Sequence, residues 1–208
     1  MTNSSEKLMP RFIETIRIEA GLIYNLPYHQ ERMDRTFRRF FPAWKAPSLQ
    51  TLLDDAPREE GVIKARIEYD GQHIFDKRYF PYTMRTIRSL RLVEAPSIAY
   101  AYKSADRSAL ENLARQKGDA DELIIVQNGL LTDTTYSNIA LWEGSAWYTP
   151  AHPLLPGTMR QFLLDHGQLK EAEITIESLG QFRTIALINA MMPLGRCTLP
   201  TGSITRRG

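Results

Sequence analysis

The alternation of apolar and polar residues predicts strands and hairpins along most of the chain. Residues 11–18 alternate well enough for a strand, and residues 22–24 are expected to form its returning partner. Residues 61–69 and 72–82 flank an Asp-Gly pair, and such a pair between two alternating runs favours a long β-hairpin. Further strands are predicted at residues 90–93, 123–126, 137–142, 145–149, 173–176 and 184–189.

Apolar spacing of three and four residues predicts four helices between these strands. Pro42 ends the first helix and Gly118 ends the third, since proline cannot continue a helix and glycine commonly follows one. The predicted helices span about residues 27–41, 48–53, 104–117 and 158–166. Many hairpins with few helices are typical of a mixed α/β (α+β) fold.

A polar and basic segment, residues 83–89, is the best candidate for a boundary between two halves. It divides the chain into an N-terminal half, residues 1–86, and a C-terminal half, residues 87–208. Residues 198–208 at the end of the chain are expected to fray, as termini often do.

Composition narrows the function classes only a little. The 208 residues are 43% hydrophobic and 24% charged, which is typical of globular proteins. The single cysteine, Cys197, excludes an internal disulfide framework and favours a reducing, cytoplasmic location. No apolar run is long enough to span a bilayer, and the start has no apolar signal region. We therefore expect no membrane partner.

The net charge and the spacing of Cys and His residues bear on two further classes of partner, nucleic acids and metal ions. A net charge of +2 does not argue for nucleic acid, so no nucleic-acid partner is expected. Arg35, Arg38 and Arg39 cluster on the first predicted helix, where a solvated face is the preferred interpretation. The modest basic field would help attract an anionic cofactor or a dicarboxylate substrate. No Cys/His spacing predicts a zinc site, and we predict no metal.

Three features between residues 103 and 160 form a candidate site for pyridoxal 5'-phosphate. Lys103 follows an apolar extended run, Asp133 is flanked by threonines, and Gly157 precedes a predicted helix start. A lysine, an acid for the ring nitrogen and a helix start for the phosphate are what this cofactor needs. Each feature alone is most often something simpler: a solvated lysine, a turn aspartate, an ordinary helix start. Their order and spacing together favour the site.

Four motifs resemble the class IV aminotransferases, the fold-type IV pyridoxal phosphate enzymes. Residues 12–17 resemble the family's Phe-Glu-Thr-Ile-Arg strand, and residues 29–33 its His-x-x-Arg-Leu helix. Residues 130–140 resemble its acid-containing loop with Ser-Asn, and residues 187–191 a late Leu-Thr-Asn strand end. That family includes branched-chain and D-amino acid aminotransferases and aminodeoxychorismate lyase.

The resemblance implies a fold and an assembly. It implies a small N-terminal α/β half, a C-terminal barrel-like α/β half and a cofactor between them. It also implies a homodimer acting on a small-molecule substrate. Both ends of this chain are shorter than the family pattern, which leaves the closure of the site open.

The resemblance also assigns roles to individual residues. Lys103 is the lysine that bonds the cofactor, and it must be neutral to attack. Lys64 alternates with apolar residues in a strand and Lys117 closes a helix, so both of these competitors are interpreted as solvated. Asp133 stands where the family usually has Glu followed by Gly, and it would hold the ring nitrogen protonated. The predicted phosphate-binding group, by helix-start amides or by side chains, is Arg32, Gly157, Thr158, Met159, Asn189 and Ala190.

The reaction is the least determined part. Residues 14–17, Glu-Thr-Ile-Arg, resemble lyase sequences in which the threonine, here Thr15, faces the substrate and assists catalysis. We therefore favour conversion of 4-amino-4-deoxychorismate to 4-aminobenzoate and pyruvate, a step of folate biosynthesis. A class IV aminotransferase of the branched-chain or D-amino acid type is the alternative. A degenerate, non-catalytic binding protein that kept the fold is the second alternative, motivated by Asp133 and the shortened ends.

Overall fold

A computed structural model describes residues 9–206. The N-terminal part is an antiparallel sheet of four strands in the order β2-β1-β3-β4, and two helices belong to the same part of the chain. Its elements are β1 (Phe12–Glu19), β2 (Leu22–Ile23), α1 (Leu26–Phe40), α2 (Leu49–Leu52), β3 (Val62–Tyr69) and β4 (Ile74–Pro81). The predicted hairpin is confirmed, and Asp70 closes it because its Oδ1 accepts from the backbone N–H groups of Gln72 and His73 at 2.7 and 2.8 Å.

The two faces of this sheet have different neighbours. One face carries Ile16 of β1 and Ile67 of β3, which are fully buried and belong to the same core cluster as Met33 and Phe37 of α1. Because side chains alternate along a strand, Thr15 lies on the opposite face. That opposite face lines the cavity described below.

The C-terminal part is a larger mixed sheet that branches at one strand. Its path runs β10-β9-β8-β7-β6-β5-β13, and β11 pairs with both β8 and β12. The strands are β5 (Leu90–Glu94), β6 (Glu122–Gln127), β7 (Leu130–Thr134), β8 (Asn138–Trp142), β9 (Trp147–Pro150), β10 (Lys170–Ala172), β11 (Thr184–Ile188), β12 (Thr198–Pro200) and β13 (Ile204–Thr205). Two helices, α3 (Ser108–Ala114) and α4 (Thr158–Asp165), complete it, with 3-10 turns at Arg115–Lys117, Glu177–Gln181 and Thr201–Ser203.

Two turn residues explain the tight connection between β6 and β7. Asn128 and Gly129 both have positive φ, 52° and 79°. A two-residue hairpin turn with both central residues in the left-handed region matches the natural twist of the strands. Asn128 and Gly129 therefore form a two-residue hairpin turn between β6 and β7.

Three predictions of local structure are wrong. Of the strand expected at residues 173–176, only an isolated bridge forms, between Thr175 and Leu130, and the strand itself lies earlier, at β10, which pairs in parallel with β9. The helix expected from residue 104 begins at Ser108, because Ser104 pairs with Phe12 of β1. The tail does not fray over residues 198–206, since β12 pairs with β11 and β13 pairs with β5. Residues 207–208 lie outside the described part.

The two parts of the chain meet through a short stretch of backbone pairing. Ile13 N–H donates to the Lys103 carbonyl at 2.9 Å, and Ala105 N–H donates to the Arg11 carbonyl at 2.8 Å. This pairing holds Lys103 beside β1. Within residues 9–206, no helix is both long and apolar enough to cross a membrane.

Candidate active site

A cavity of about 350 Å³ lies where the two sheets face each other. Its walls are the face of β1 and β3 that carries Thr15, the Lys103 segment, the end of β7 and the start of α4. Eight of the nine predicted site residues line it: Thr15, Arg32, Lys103, Asp133, Gly157, Thr158, Asn189 and Ala190. The ninth, Met159, has its side chain in a core cluster with Leu163. Binding of phosphate by the Met159 backbone N–H stays a prediction.

Lys103 is half-buried in the cavity wall and has a depressed pKa. Burial lowers the pKa of its amine from 10.5 to about 7, and the positive charges of Arg32 and Arg107 act in the same direction. The carboxylate of Glu14 opposes this shift without cancelling it. A substantial share of the amine is therefore neutral near pH 7, which is the state that attacks an aldehyde or accepts a proton.

Asp133 is buried near the end of β7, and both of its oxygens accept hydrogen bonds. Asn138 Nδ2 donates to Oδ1, and the Leu155 N–H donates to Oδ2, each at 2.8 Å. Burial raises the pKa of the carboxyl to about 7, although the Leu155 and Asn138 hydrogen bonds act against the shift. A carboxyl group with that pKa is suited to share a proton with a basic nitrogen.

Arg32 belongs to a buried network with Glu14 and His29. Arg32 Nε donates to Glu14 Oε1 at 2.8 Å, and His29 Nδ1 lies 2.6 Å from Glu14 Oε2. Burial alone would raise the pKa of Glu14, but Arg32 and His29 outweigh it and hold that pKa at about 2. Burial lowers the pKa of His29, which Glu14 only partly offsets. Glu14 therefore orients the Arg32 side chain, and Arg32 also lines the cavity.

The start of α4 joins this network to the second half of the chain. Thr158 Oγ1 lies 3.3 Å from His29 Nε2, so the first turn of α4 contacts α1 through two side chains. A Cβ atom added at Gly157 would lie 2.0 Å from Asn138 Oδ1, so a side chain there would have to displace Asn138. Free N–H groups at a helix start can bind an anion, and a glycine at that point lets the anion come close to them.

Asn189 shapes the cavity rim through its own turn. Its Oδ1 accepts from the N–H groups of Met191 and Met192 at 2.8 and 3.0 Å, and its Nδ2 donates to the Tyr136 carbonyl at 3.2 Å. The side chain therefore braces the loop that contains Ala190. Ala190 itself lines the cavity.

Comparison with a known family covers nearly the whole chain. Residues 11–199 match the model of the family described as amino-transferase class IV. The chain belongs to the class IV aminotransferase family. Both the resemblance found in the sequence and the predicted fold class are thereby confirmed.

Relatives of this class IV chain include proteins matched over most of their length. An uncharacterized protein of Haemophilus influenzae is 36% identical over 181 residues, covering 86% of this chain and 96% of that protein. A crystal structure from Haemophilus somnus, assigned provisionally as a 4-amino-4-deoxychorismate lyase, is 34% identical with a TM-score of 0.84. The match covers 89% of this chain and 98% of that one.

More distant matches extend the picture. A Schizosaccharomyces pombe protein, assigned provisionally as an aminodeoxychorismate lyase, is 26% identical over 73% of this chain and 72% of its own length. A Mycobacterium tuberculosis protein described as a hypothetical aminotransferase, in its PLP-bound form, is 15% identical with a TM-score of 0.74, covering 96% of this chain and 84% of that one. At that identity the last match shows a shared fold.

The class IV family depends on pyridoxal phosphate, and the residues of this cavity fit that cofactor. The donor set is an amine at Lys103, a carboxyl at Asp133, and a helix start whose glycine cannot carry a Cβ. These are a covalent anchor, a partner for a ring nitrogen and a cradle for a phosphate.

Sequence reasoning missed several residues that line the cavity. The interpretation of Lys64 as solvated is wrong, because the residue is half-buried and lines the cavity with Arg66, its neighbour on the same face of β3. Arg107 and Tyr100 line it as well. The alternation along the strand shows which face of the sheet carries Lys64. It does not show that this face lines a cavity and not bulk solvent. For Arg107, a position four residues after Lys103 was the available signal.

Proposed function

We propose that this chain is a pyridoxal phosphate-dependent lyase that converts 4-amino-4-deoxychorismate to 4-aminobenzoate and pyruvate. The observation that carries the proposal is the shared cavity of Lys103, with a pKa of about 7, and Thr15, on a strand paired with the Lys103 segment. The provisional lyase assignment of the Haemophilus somnus protein, 34% identical to this chain, supports the same reaction.

The cofactor would be held by residues from both parts of the chain. Lys103 would bond it, Asp133 would share the proton of its ring nitrogen, and Arg32 would reach its phosphate beside the α4 start. The proposed phosphate group is completed by Gly157, Thr158, Met159, Asn189 and Ala190. When bound, the cofactor supplies an electron sink that makes the carbon bearing the amine acidic.

Lys103 and Thr15 would carry the proton transfers. Lys103 Nζ, neutral near pH 7, takes the proton from the carbon that bears the substrate amine. The bond between the ring carbon and the ether oxygen then breaks, and that oxygen takes a proton. The group leaves as the enol of pyruvate, which becomes pyruvate when the hydroxyl proton is lost and the methylene carbon takes one up. The hydroxyl of Thr15, which lines the same cavity, would donate to the departing oxygen. Because the remaining ring becomes aromatic, the protein supplies mainly orientation and proton transfer.

Transamination is the second candidate, favoured by the description of the matched family itself. It begins with the same proton removal by Lys103 and differs in where the proton is returned. A non-catalytic binding protein is the remaining alternative, and the donor set of amine, carboxyl and helix start in one cavity argues against it.

The deciding experiment supplies two sets of substrates to the cofactor-loaded protein. We expect 4-aminobenzoate, followed by its fluorescence, and pyruvate, followed by lactate dehydrogenase, in equal amounts from 4-amino-4-deoxychorismate. Parallel reactions with a panel of amino acids and 2-oxoglutarate measure transamination. Amino-group exchange without pyruvate would replace the lyase proposal by the aminotransferase. A protein with no visible cofactor absorption and neither activity would favour the binding protein.

Assembly and location are part of the same proposal. We propose a homodimer that works in the cytoplasm on a small-molecule substrate in folate biosynthesis. Sedimentation of the active, cofactor-loaded protein tests the dimer, and a fully active monomer would contradict it.

A further inference from the structure

Glu14, His29 and Thr158 form a line of three side chains that runs from the protein interior to the cavity wall. Glu14 Oε2 lies 2.6 Å from His29 Nδ1, and His29 Nε2 lies 3.3 Å from Thr158 Oγ1. The side chains of Glu14 and His29 are fully buried, and Thr158 is 4% exposed. Thr158 lines the cavity, whereas Glu14 and His29 do not. An anion in the cavity can therefore contact the Thr158 hydroxyl, while His29 lies behind that hydroxyl.

The carboxylate of Glu14 determines which nitrogen of the His29 ring carries a proton. Against the effect of burial, Arg32 and His29 hold the pKa of Glu14 at about 2, so this carboxylate is ionised near pH 7. An ionised carboxylate can only accept a hydrogen bond, and Nδ1 of His29 must therefore donate to it. Burial lowers the pKa of His29, so the ring is neutral near pH 7 and its Nε2 carries no proton. Nε2 is then an acceptor, and the Thr158 hydroxyl donates to it.

In this neutral state the Thr158 hydroxyl is poorly oriented for binding an anion. A hydroxyl has one proton, and because that proton points to His29, the oxygen presents only lone pairs to the cavity. His29 is the one hydrogen-bond partner of this hydroxyl among residues 9–206. Lone pairs repel a phosphate dianion. The neutral network therefore opposes the phosphate that the start of α4 is proposed to bind.

A proton on Nε2 of His29 reverses this orientation. The doubly protonated ring donates from Nδ1 to Glu14 and from Nε2 to Thr158 Oγ1, so the hydroxyl proton becomes free to point into the cavity. The hydroxyl can then donate to an oxygen of the anion. The ring also gains a positive charge. Because the charges of Glu14 and Arg32 already cancel in their ion pair, this added charge offsets part of the charge of a dianion.

Charged groups from three segments decide how readily His29 takes up this proton. Burial opposes it most, Arg32 on the same helix and Lys103 beside β1 oppose it as well, and Glu14 on β1 favours it. The contact from α4 is the uncharged Thr158. The opposing effects prevail without an anion, since the pKa of His29 is lowered from 6.5. A dianion beside Thr158 adds two negative charges that favour the proton, and charges in a buried site are weakly screened.

We propose that His29 is a positioning residue of the phosphate site, which takes up a proton when a phosphate dianion binds and thereby turns the Thr158 hydroxyl toward the anion. This inference rests on the phosphate-binding part of the proposed function, and it holds for either reaction that might follow. The proton comes from solvent when the anion binds and returns to solvent when the anion leaves. Only hydrogen bonds form and break.

The test measures the protonation of His29 in the wild-type protein by 15N NMR with labelled histidine, at pH 7 and constant ionic strength. Sulfate is the first probe, because it has the tetrahedral shape of phosphate and stays a dianion at this pH. We expect a proton on Nδ1 alone in the free protein and on both nitrogens in the sulfate-saturated protein. The exposed His73, His152 and His166 are internal controls and should not change.

Two further probes distinguish the phosphate of the cofactor from a free anion. Pyridoxal 5'-phosphate should protonate Nε2 of His29 as sulfate does. Pyridoxal, which lacks the phosphate, should leave Nε2 without a proton even when it is bonded to Lys103. Protonation of His29 by pyridoxal to the same extent would show that the ring responds to something other than the dianion, and would overturn the inference.

A matched pair of variants separates the hydroxyl from the general field of the anion. Thr158→Val keeps the branched shape but cannot accept from His29, while Thr158→Ser keeps the hydroxyl. We expect Thr158→Val to bind sulfate about tenfold or more weakly, the size of a lost hydrogen bond to a charged group. His29 should stay neutral in this variant at saturating sulfate. Thr158→Ser should behave like the wild type in both measurements.

The outcomes distinguish this inference from the proposed reaction. A sulfate-saturated wild type whose His29 Nε2 carries no proton overturns it, even if the enzyme releases pyruvate. Equal protonation in Thr158→Val overturns it too, because the hydroxyl would then play no part. A protein that binds neither sulfate nor pyridoxal 5'-phosphate overturns it together with the proposed phosphate site. Protonation in the wild type and Thr158→Ser but not in Thr158→Val supports it, including where no pyruvate is released and the lyase proposal fails.

Discussion

Glu14 of β1 and Arg32 of α1 form a buried ion pair joined by two hydrogen bonds. The Glu14 side chain is fully buried and that of Arg32 is 6% exposed, with Nε donating to Oε1 at 2.8 Å. The pair ties the first helix to the first strand. It also fixes the plane of the guanidinium, which is the preorganisation that the proposed phosphate site would need.

Breaking this pair should destabilise the fold strongly. Glu14→Gln leaves the Arg32 charge buried without its counter-charge, so we expect the free energy of unfolding to fall by about 3–5 kcal/mol. The matched control is Glu31→Gln, which removes an exposed pair with Arg38 and should cost about 1 kcal/mol or less. Urea unfolding at pH 7 measures both. Equal losses in the two variants would contradict the prediction.

The same pair predicts a dependence of stability on pH. The pKa of Glu14 is about 2 in the folded protein against an ordinary value of 4.5. A lowered carboxyl pKa contributes stability that is complete above pH 4.5 and is lost as the pH falls toward 2. The stability difference between the wild type and Glu14→Gln should therefore shrink over that range. A difference that stays constant from pH 6 to pH 3 would argue against the ionised pair.

Gly157 should tolerate no side chain, for a steric reason alone. Its φ of −75° is open to any residue, but an alanine Cβ would lie 2.0 Å from Asn138 Oδ1. Gly157→Ala must displace Asn138, which donates to Asp133, so we expect cofactor affinity to fall and stability to drop by about 1–3 kcal/mol. Gly180→Ala has open space around it and serves as the control. Cofactor absorbance titration and thermal unfolding read out the two effects.

Lys103 should be the lysine that bonds the cofactor, with a rate that follows its lowered pKa. Because the pKa is about 7, the neutral amine becomes the main form above pH 7, and the attachment rate should rise with pH and then level off there. Stopped-flow absorbance gives this profile. A rate that keeps rising to pH 10 would indicate an ordinary lysine.

Chemical labelling provides the site assignment for the same prediction. Borohydride reduction of the loaded protein followed by peptide mapping should mark Lys103, and Lys103→Arg should abolish the label. Label at Lys64, which also lines the cavity, or at Lys117 would move the assignment.

Thr15 should affect turnover more than binding. Thr15→Val keeps the branched shape that suits a strand and removes the hydroxyl, so we expect kcat for pyruvate release to fall by about 10²-fold, the lower range of general acid–base effects. KM should change little. Thr198→Val, an exposed strand position outside the cavity, is the control. An unchanged kcat would remove Thr15 from the catalytic group.

Local patterns identified most elements because their causes lie close together in the chain. The Asn128-Gly129 turn, the helix from Leu26 to Phe40 and the β3–β4 hairpin all follow from turn chemistry and from the spacing of apolar residues. The prediction that the chain frays from residue 198 onward is wrong for the opposite reason. Its order comes from pairing with β11 and β5, strands that are distant in sequence.

The sequence by itself determined the family, the mixed α/β fold and a set of candidate residues, since motifs and periodicity are properties of neighbouring positions. The tertiary structure decided which of those candidates share a cavity and which charges there are already neutralised. Arg32 has a carboxylate partner in Glu14, while Lys64 and Arg107 have no carboxylate partner within residues 9–206. Burial and charge pairing depend on side chains brought together from distant segments, and no local pattern records them.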